Sequence, residues 1–225
     1  MYTNTPLIES GDLPVRKNTP VEIKNELAVA IGASTPKQLF DGMAPYLNHT
    51  LINCCQGGKD INNWVADSPV WRNAMAQIAD PSQVTTVYMI HDDLRVKDQS
   101  YPNAPSNLAD KFLEVFRECE ERFPKLKKIV LFNRLYTGWA DLDKHKEPAG
   151  WNNGWAIKWA IERYDGDVFC EGFDLWTSGQ TVRSDGFQVK RNFFKKADGT
   201  FDGVHLGERG AKRIGKHMAQ VVMNS

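Results

Sequence analysis

Residues 27–47 read LAVAIGASTPKQLFDGMAPYL. The first five are small or branched apolar residues, which are typical of a buried strand. A Gly-Ala-Ser-Thr turn follows at residues 32–35, and residues 36–47 open with a proline and continue with apolar residues at helical spacing. A buried strand, a tight turn and a helix in direct succession form half of a βαβ unit. This stretch therefore predicts a parallel sheet flanked by helices.

The rest of the chain continues this alternation of short apolar runs and amphipathic stretches. Further strands are predicted at residues 51–55, 84–90, 128–132 and 167–170. Further helices are predicted at residues 60–78, 106–123, 153–163 and 206–223. We therefore predict an α/β fold of three layers, α/β/α, with a flavodoxin-like sheet of five parallel strands.

Several polar stretches lie outside this pattern. Residues 1–25 carry three prolines and are predicted to form an extended arm, so the folded domain is assigned to residues 26–225. Residues 136–150 and 172–201 are too long for plain connections. Ligand sites in open α/β sheets lie outside the carboxyl ends of the strands, and we expect these two stretches to form the walls of such a site.

The composition argues against several classes of protein. The chain has 225 residues with 28 Lys and Arg against 28 Asp and Glu, so no net charge draws it to nucleic acid or to an anionic membrane. No apolar stretch approaches the ~18 residues of a membrane span, and the first residues show no signal peptide. Cys54 and Cys55 are adjacent and apolar in context, so we expect all four cysteines to be reduced. The compartment is left open between the cytoplasm and a larger exported or virion assembly.

Two short motifs follow the first two predicted strands. Ser34 lies between strand and helix, where its hydroxyl would face the carboxyl edge of the sheet beside helix N–H groups. A serine in such a turn is also a common N-cap. Gly57 and Gly58 follow the second strand, where they bring backbone amides close to a ligand or simply form a turn.

A third motif, Asp202-Gly203-Val204-His205, precedes the last helix. With this spacing the carboxylate can hold one nitrogen of the imidazole and leave the other facing the sheet edge. The alternative is a turn aspartate followed by an exposed histidine. The order of the three motifs along the chain separates these alternatives.

This order resembles that of the SGNH (GDSL-like) hydrolase superfamily. The resemblance spans residues 27–223 and rests on the stretches IGAST, NCCQGGKDINNW, LYTGWA, NNGWAIKWAIE and FDGVHLGERGAKRIG, which look like a carbohydrate-esterase or sialate-O-acetylesterase branch. It implies that Ser34 is the nucleophile, that His205 is the general base and that Asp202 orients the histidine. Gly58 and the Ser34 amide would supply oxyanion donors.

The sequence departs from the family pattern at two positions. Ala33 replaces the aspartate of the usual Gly-Asp-Ser block, whose role is supportive rather than chemical. The third oxyanion donor, usually Asn or Gln after the third strand, has no direct match: His91 lies closest, Asn133 is a second candidate, and a site without a side-chain donor is the third possibility. His91 also begins a His-Asp-Asp run. A solvated turn explains this run better than a metal site, because three consecutive ligands would need a loop conformation.

Trp139 and Trp176 lie in glycine- and aspartate-rich stretches and are candidates for stacking on a sugar ring, although packing between loops explains them equally well. We predict a serine esterase that hydrolyses O-acyl, and in particular O-acetyl, esters on carbohydrate through an acyl-enzyme, with no cofactor and no metal. Its expected partner is a small-molecule or polysaccharide ester. A lipid-type esterase or thioesterase with the same triad, and a non-catalytic carbohydrate-binding module, are the alternatives.

Overall fold

A computed structural model describes residues 13, 15–20, 22–23, 25–93, 100–136, 139, 147–177, 182–183 and 186–225 of the chain. Within these residues the strands are β1 (Val15–Lys17), β2 (Leu27–Gly32), β3 (Thr50–Asn53), β4 (Thr86–Ile90), β5 (Lys128–Phe132) and β6 (Phe169–Phe173). The helices are α1 (Ser34–Met43), α2 (Pro69–Met75), α3 (Asn103–Arg122), α4 (Glu147–Arg163) and α5 (Glu208–Met223). Together they form three layers, with the sheet between two layers of helices.

The strand order across the sheet is β1-β6-β5-β4-β2-β3. The strands from β2 to β6 run parallel in a flavodoxin-like order, which confirms the predicted α/β/α fold. The predicted count of five strands was one too few. β1, which comes from the polar stretch at residues 1–25, pairs antiparallel with β6, and Val15 lies opposite Gly172. It covers a sheet edge that would otherwise expose unpaired backbone groups.

The helix predicted over residues 60–78 consists of two shorter elements instead. A 3₁₀ turn at Ile61–Asn63 begins at Asp60, whose carboxylate caps it. α2 begins separately, with Ser68 as its N-cap and a proline at its first position. Two capping residues within one amphipathic stretch divide it, because each satisfies the free N–H groups of its own short helix.

The helices divide between the two faces of the sheet. α2, α3 and α4 cover one face, and α1 and α5 cover the other. α1 and α5 approach closely because glycines lie at their contact. A Cβ added at Gly42 would lie 2.2 Å from the Ala211 carbonyl oxygen, and one at Gly215 would lie 2.2 Å from the carbonyl carbon of Gly42. The helix that begins at Ser34 and the helix that follows His205 are therefore held against each other.

The cores on these two faces hold the fold together without a disulfide. Cys54, Cys55, Cys119 and Cys170 are all buried free thiols. Within the described residues, no helix combines the length and the apolar character that crossing a membrane requires.

Candidate active site

Ser34 lies at the point where β2 turns into α1. Gly32, the last residue of β2, lies close to the end of the neighbouring strand β4. A Cβ added at Gly32 would lie 2.7 Å from the Ile90 carbonyl oxygen. Ala33 is the N-cap of α1 and makes no side-chain cap bond, so Ser34 is the first residue of the helix. The Ser34 hydroxyl is thus not the helix cap, and its Oγ lies 3.0 Å from Nε2 of His205.

Asp202 holds the imidazole of His205 from the other side. Its Oδ2 lies 2.8 Å from Nδ1 of His205, and its Oδ1 accepts from the backbone N–H groups of Val204 at 2.9 Å and His205 at 2.7 Å. Partial burial opposes ionisation, but these donors outweigh it and hold the pKa of Asp202 well below its usual range. An ionised carboxylate can only accept, so Nδ1 carries the proton and Nε2 is the nitrogen free to accept one.

The turn that carries His205 is fastened to α1 by side chains of that helix. Thr35 donates to the Val204 carbonyl at 3.3 Å. The Gln38 amide makes two bonds to the backbone of Leu206: it donates to the carbonyl at 2.9 Å and accepts from the N–H at 2.8 Å. These contacts fix the imidazole relative to Ser34. Sequence reasoning did not identify Gln38, whose partner is 168 residues away along the chain.

Ser34 and His205 open into a cavity of about 200 Å³. It lies outside the carboxyl ends of the parallel strands, as sites in open α/β sheets do. Most of its wall is apolar, formed by Pro36, Leu39, Ile90, Leu135 and Val204. No described residue of 136–150 or 172–201 lines it, so the expectation that these stretches form the walls is not met by the described residues. The wall comes from strand ends, from α1 and from the His205 turn.

The glycine turn after β3 borders the cavity beside Ser34. Gly58 lines the cavity and has a φ of 70°, in the left-handed region that favours glycine. A Cβ added at Gly57 would lie 3.8 Å from Cβ of Ser34. The turn therefore brings backbone amides close to the serine, and residues with side chains would resist this conformation.

His91 lines the cavity at the end of β4 and is only 2% exposed. Its ring packs against Trp64 with the centroids 5.5 Å apart, and neither ring nitrogen has a hydrogen-bond partner among the described residues. Burial lowers the pKa of His91 to about 3, so the ring is neutral at ordinary pH and has one N–H to donate. A buried donor without a partner needs an explanation, and an incoming substrate oxygen would supply one.

The two carboxylates after His91 form ion pairs. Oδ2 of Asp92 lies 2.8 Å from Nη1 of Arg134, and Asp93 pairs with Lys111. Within the described residues no group of three or more His, Cys, Asp or Glu side chains could hold a metal ion. Arg134 is buried and lines the cavity, but sequence reasoning overlooked it. Its position just after the fourth parallel strand was the available signal.

Asn133, the second candidate oxyanion donor, belongs to a buried network instead. Its Nδ2 donates to the Gly150 carbonyl at 3.2 Å and to the Asp174 carboxylate at 2.9 Å. Its Oδ1 accepts from the Arg134 N–H at 2.8 Å and from Asn153 at 2.9 Å. Asn133 does not line the cavity. Its amide holds together the chain segments that follow β5 and β6.

Trp139 and Trp176 pack against other aromatic rings. Trp176 is buried, and a Cβ at Gly150 would lie 2.1 Å from its ring. Both tryptophan rings lie 5.2 Å from that of Tyr136, and Trp139 also lies 5.1 Å from Phe194. Neither tryptophan lines the cavity. Trp176 therefore packs between loops in this structure. A sugar-stacking role for Trp139 stays a prediction.

Solved structures with the same fold include hydrolases. No protein-family model and no curated protein matches the sequence. A protein from Slackia heliotrinireducens assigned as an SGNH hydrolase is 15% identical with a TM-score of 0.53, over 88% of this chain and 100% of that one. A protein from Streptococcus pneumonia assigned as a platelet activating factor is 15% identical with a TM-score of 0.51, over 89% and 85%. A carbohydrate esterase family 2 enzyme with its carbohydrate-binding domain, from Myceliophthora fergusii, is 13% identical with a TM-score of 0.51, over 92% and 68%.

At identities of 13 to 15%, these similarities establish the fold. The chain has the fold of the SGNH hydrolases, which confirms the fold that the sequence resemblance implied. Within this fold, the predicted site residues that the structure brings together around Ser34 are His205, Asp202, Gly58 and His91.

Proposed function

We propose that the protein is a serine esterase that hydrolyses short O-acyl esters, with O-acetyl groups on carbohydrate as its substrate class. The observation that carries this proposal is the hydrogen-bonded series from Ser34 through His205 to Asp202, with spacings of 3.0 and 2.8 Å, at a cavity outside the strand ends. A serine hydroxyl is a weak nucleophile by itself. It is activated by a base within hydrogen-bond reach that a third group orients.

The proposed reaction has two steps. Oγ of Ser34 attacks the ester carbonyl while Nε2 of His205 takes the hydroxyl proton, and the departing alcohol then receives that proton, leaving an acyl group on Ser34. A water molecule, deprotonated by His205, attacks the acyl-enzyme and frees the acid. Asp202 is ionised throughout and stabilises the imidazolium that forms in each step.

The negative charge that develops on the carbonyl oxygen needs donors placed in advance. We assign this role to the backbone N–H groups of Ser34 and Gly58 and to the side chain of His91. Ser34 is the first residue of α1, so its N–H is among those that the helix leaves without an internal partner. His91 is neutral, buried and without a described partner, so it can donate without first giving up another bond.

The size and lining of the cavity limit the acyl group. A dry cavity of ~150 Å³ takes benzene, so about 200 Å³ takes an acyl chain of up to roughly six carbons. The apolar wall of the cavity suits the methyl group of an acetate. A polar pocket formed by residues 136–150 and 172–201, as the sequence predicted, would suit it less well. A long-chain lipid esterase needs a longer apolar channel than the described residues of this cavity form.

The polar side chains at the cavity favour a hydroxyl-rich alcohol. Lys59, Asp60, Asp92 and Arg134 all line it, and together they offer donors and acceptors of both charges. Sugar hydroxyls can both donate and accept, whereas an acyl chain can do neither. The Myceliophthora fergusii enzyme, which shares the fold, is described as a carbohydrate esterase, and this supports the same assignment here.

The test is hydrolysis of a panel of acetylated mono-, oligo- and polysaccharides, with Ser34→Ala as the blank. We expect the wild type to release acetate. The rate of Ser34→Ala should be ~10⁴–10⁶-fold lower, since members of a triad act as a unit. A Ser34→Ala protein that keeps more than about a tenth of the activity would show that another residue is the nucleophile. Sugar binding without any turnover would instead favour a non-catalytic carbohydrate-binding module.

A further inference from the structure

A second concave site lies away from the cavity, between α5 and the segment that precedes it. This groove has a volume of about 370 Å³. Its walls carry three cations, Lys190 from the segment and Arg213 and Lys216 from α5. All three are exposed, and none forms an ion pair with a carboxylate among the described residues. We call this site the basic groove.

The basic groove lies in the most positively charged part of the chain. Residues 186–225 contain eight Lys and Arg but only three Asp and Glu, although the two kinds balance over the whole chain. The three acids are engaged elsewhere. Asp198 bonds to Thr200, Asp202 to His205, and Glu208 to Lys212 at 2.7 Å. Lys212 and Lys196 are thus paired with acids of the same stretch, whereas the three cations of the basic groove have no carboxylate partner among the described residues.

The basic groove is connected to the catalytic turn by the chain itself. The segment from Lys190 to Lys196 leaves the groove and ends beside the triad, where Nζ of Lys196 lies 3.6 Å from Oδ2 of Asp202. Midway along it, the Phe193 carbonyl accepts from Gly207 at 2.8 Å. α5 begins at Glu208, so Arg213 lies only about 8 Å further along its axis. A polymer chain could therefore contact both sites at once.

We propose that the basic groove binds a polysaccharide that carries carboxylate groups, so that the substrate is an acidic, acylated glycan. This inference rests on the proposed function. Unpaired Lys and Arg attract carboxylates along a flexible polymer, and several such contacts add up although each is weak. Single-stranded nucleic acid is the less suitable polyanion, because it needs exposed aromatic faces for base stacking. The two phenylalanine rings of the basic groove are buried, Phe187 at 8% exposed and Phe193 at 6% exposed, and the half-buried ring of His217 has one face stacked on Phe187.

Binding is tested with the Ser34→Ala protein, which should bind polymer without cleaving it. The groove variant combines Lys190→Gln, Arg213→Gln and Lys216→Gln. A control variant combines Arg117→Gln, Lys125→Gln and Lys127→Gln, which removes the same charge from exposed residues at α3 and the loop that follows it, on the opposite face. We expect polygalacturonate to bind, more weakly as NaCl is raised, and the groove variant alone to lose about tenfold in affinity. Equal loss in both variants, or equal binding of neutral xylan or of single-stranded DNA, would overturn the proposal.

Catalysis separates a failure of this inference from a failure of the proposed function. In an otherwise wild-type protein, the groove substitutions should raise KM about tenfold for acetylated polygalacturonate and leave p-nitrophenyl acetate hydrolysis unchanged. If Ser34-dependent hydrolysis of p-nitrophenyl acetate persists but acetylated polygalacturonate and acetylated xylan show the same KM, the groove assignment alone is refuted. If that hydrolysis does not depend on Ser34, the proposed function is refuted, whatever the groove binds.

Discussion

Gln38 offers a prediction whose size follows from the structure. Its side-chain amide makes two neutral hydrogen bonds to the Leu206 backbone, at 2.9 and 2.8 Å, beside the base His205. A neutral hydrogen bond contributes about 0.5–1.5 kcal/mol, so Gln38→Ala removes about 1–3 kcal/mol of restraint from the turn. If all of that restraint serves to align Nε2 with Ser34, kcat falls about 5- to 150-fold. KM should change little, because Gln38 does not line the cavity.

The assay is steady-state hydrolysis of p-nitrophenyl acetate together with thermal unfolding. Asn53→Ala is the matched control, since Asn53 also bonds α1, to the Lys37 carbonyl at 2.8 Å and the Asp41 carboxylate at 2.7 Å, but does not touch the His205 turn. We expect both variants to lose stability and only Gln38→Ala to lose kcat. If kcat of Gln38→Ala stays within twofold of wild type while its Tm falls as in the control, Gln38 has a structural role only.

Four further predictions concern the cavity and the residues that line it. His91→Ala should lower kcat by ~10²–10³ with KM nearly unchanged, and a loss seen only in KM would make His91 a substrate contact instead. Burial lowers the pKa of His91 to about 3 while an imidazole in the unfolded chain titrates near ~6.5, so between these values the unfolded state binds the extra proton. The free energy of unfolding should therefore fall by about 1.4 kcal/mol per pH unit as pH drops through this window. Urea titrations at pH 7 and pH 5 measure this, and the free energy of unfolding should fall less between these two pH values in His91→Ala than in the wild type. Gly58→Ala and Gly199→Ala, whose glycines have φ of 70° and 84°, should each lose about 1–2 kcal/mol of stability, but only Gly58→Ala should lose kcat. Among p-nitrophenyl esters, acetate to butyrate should be hydrolysed well and chains beyond roughly six carbons poorly, and a maximum at octanoate would refute the short-acyl assignment.

The layered fold was predictable because its signals are local. The run of branched apolar residues at Lys128–Phe132 is recognisable without any neighbour, and the strand found there has the predicted bounds. β1 carries no such signal, since its three residues, two of them charged, form a strand only by pairing with β6 from more than 150 residues away. The division of the helix expected at residues 60–78 was missed because its apolar spacing continues across two caps.

The candidate site was predictable where a short motif places a reactive residue or a glycine directly after a predicted strand or in a turn. Ser34, Gly58, His91, Asp202 and His205 all belong to such motifs, and they lie together in the structure, although their roles stay predictions. Gln38 was overlooked because its contact with a distant segment leaves no trace in the sequence. Arg134 was overlooked although its position just after a parallel strand was a usable signal.

Burial of aromatic side chains could not be judged from composition alone. A tryptophan in a glycine- and aspartate-rich stretch is equally compatible with an exposed sugar platform and with a buried ring. Trp176 is buried against Gly150, where only a residue without a side chain fits. The choice between the two roles depends on packing that the local sequence does not encode.

The proposed function requires that Ser34 is a nucleophile activated by His205. The most direct measurement is the intact mass of the protein after treatment with a fluorophosphonate, which reacts covalently with activated serine hydroxyls. We expect the wild type to gain one phosphonyl group, mapped to Ser34 by peptide sequencing, while Ser34→Ala gains none and His205→Ala reacts far more slowly. A wild-type protein that stays unlabelled, or a Ser34→Ala protein that is labelled as fast as the wild type, would show that Ser34 is not the activated nucleophile.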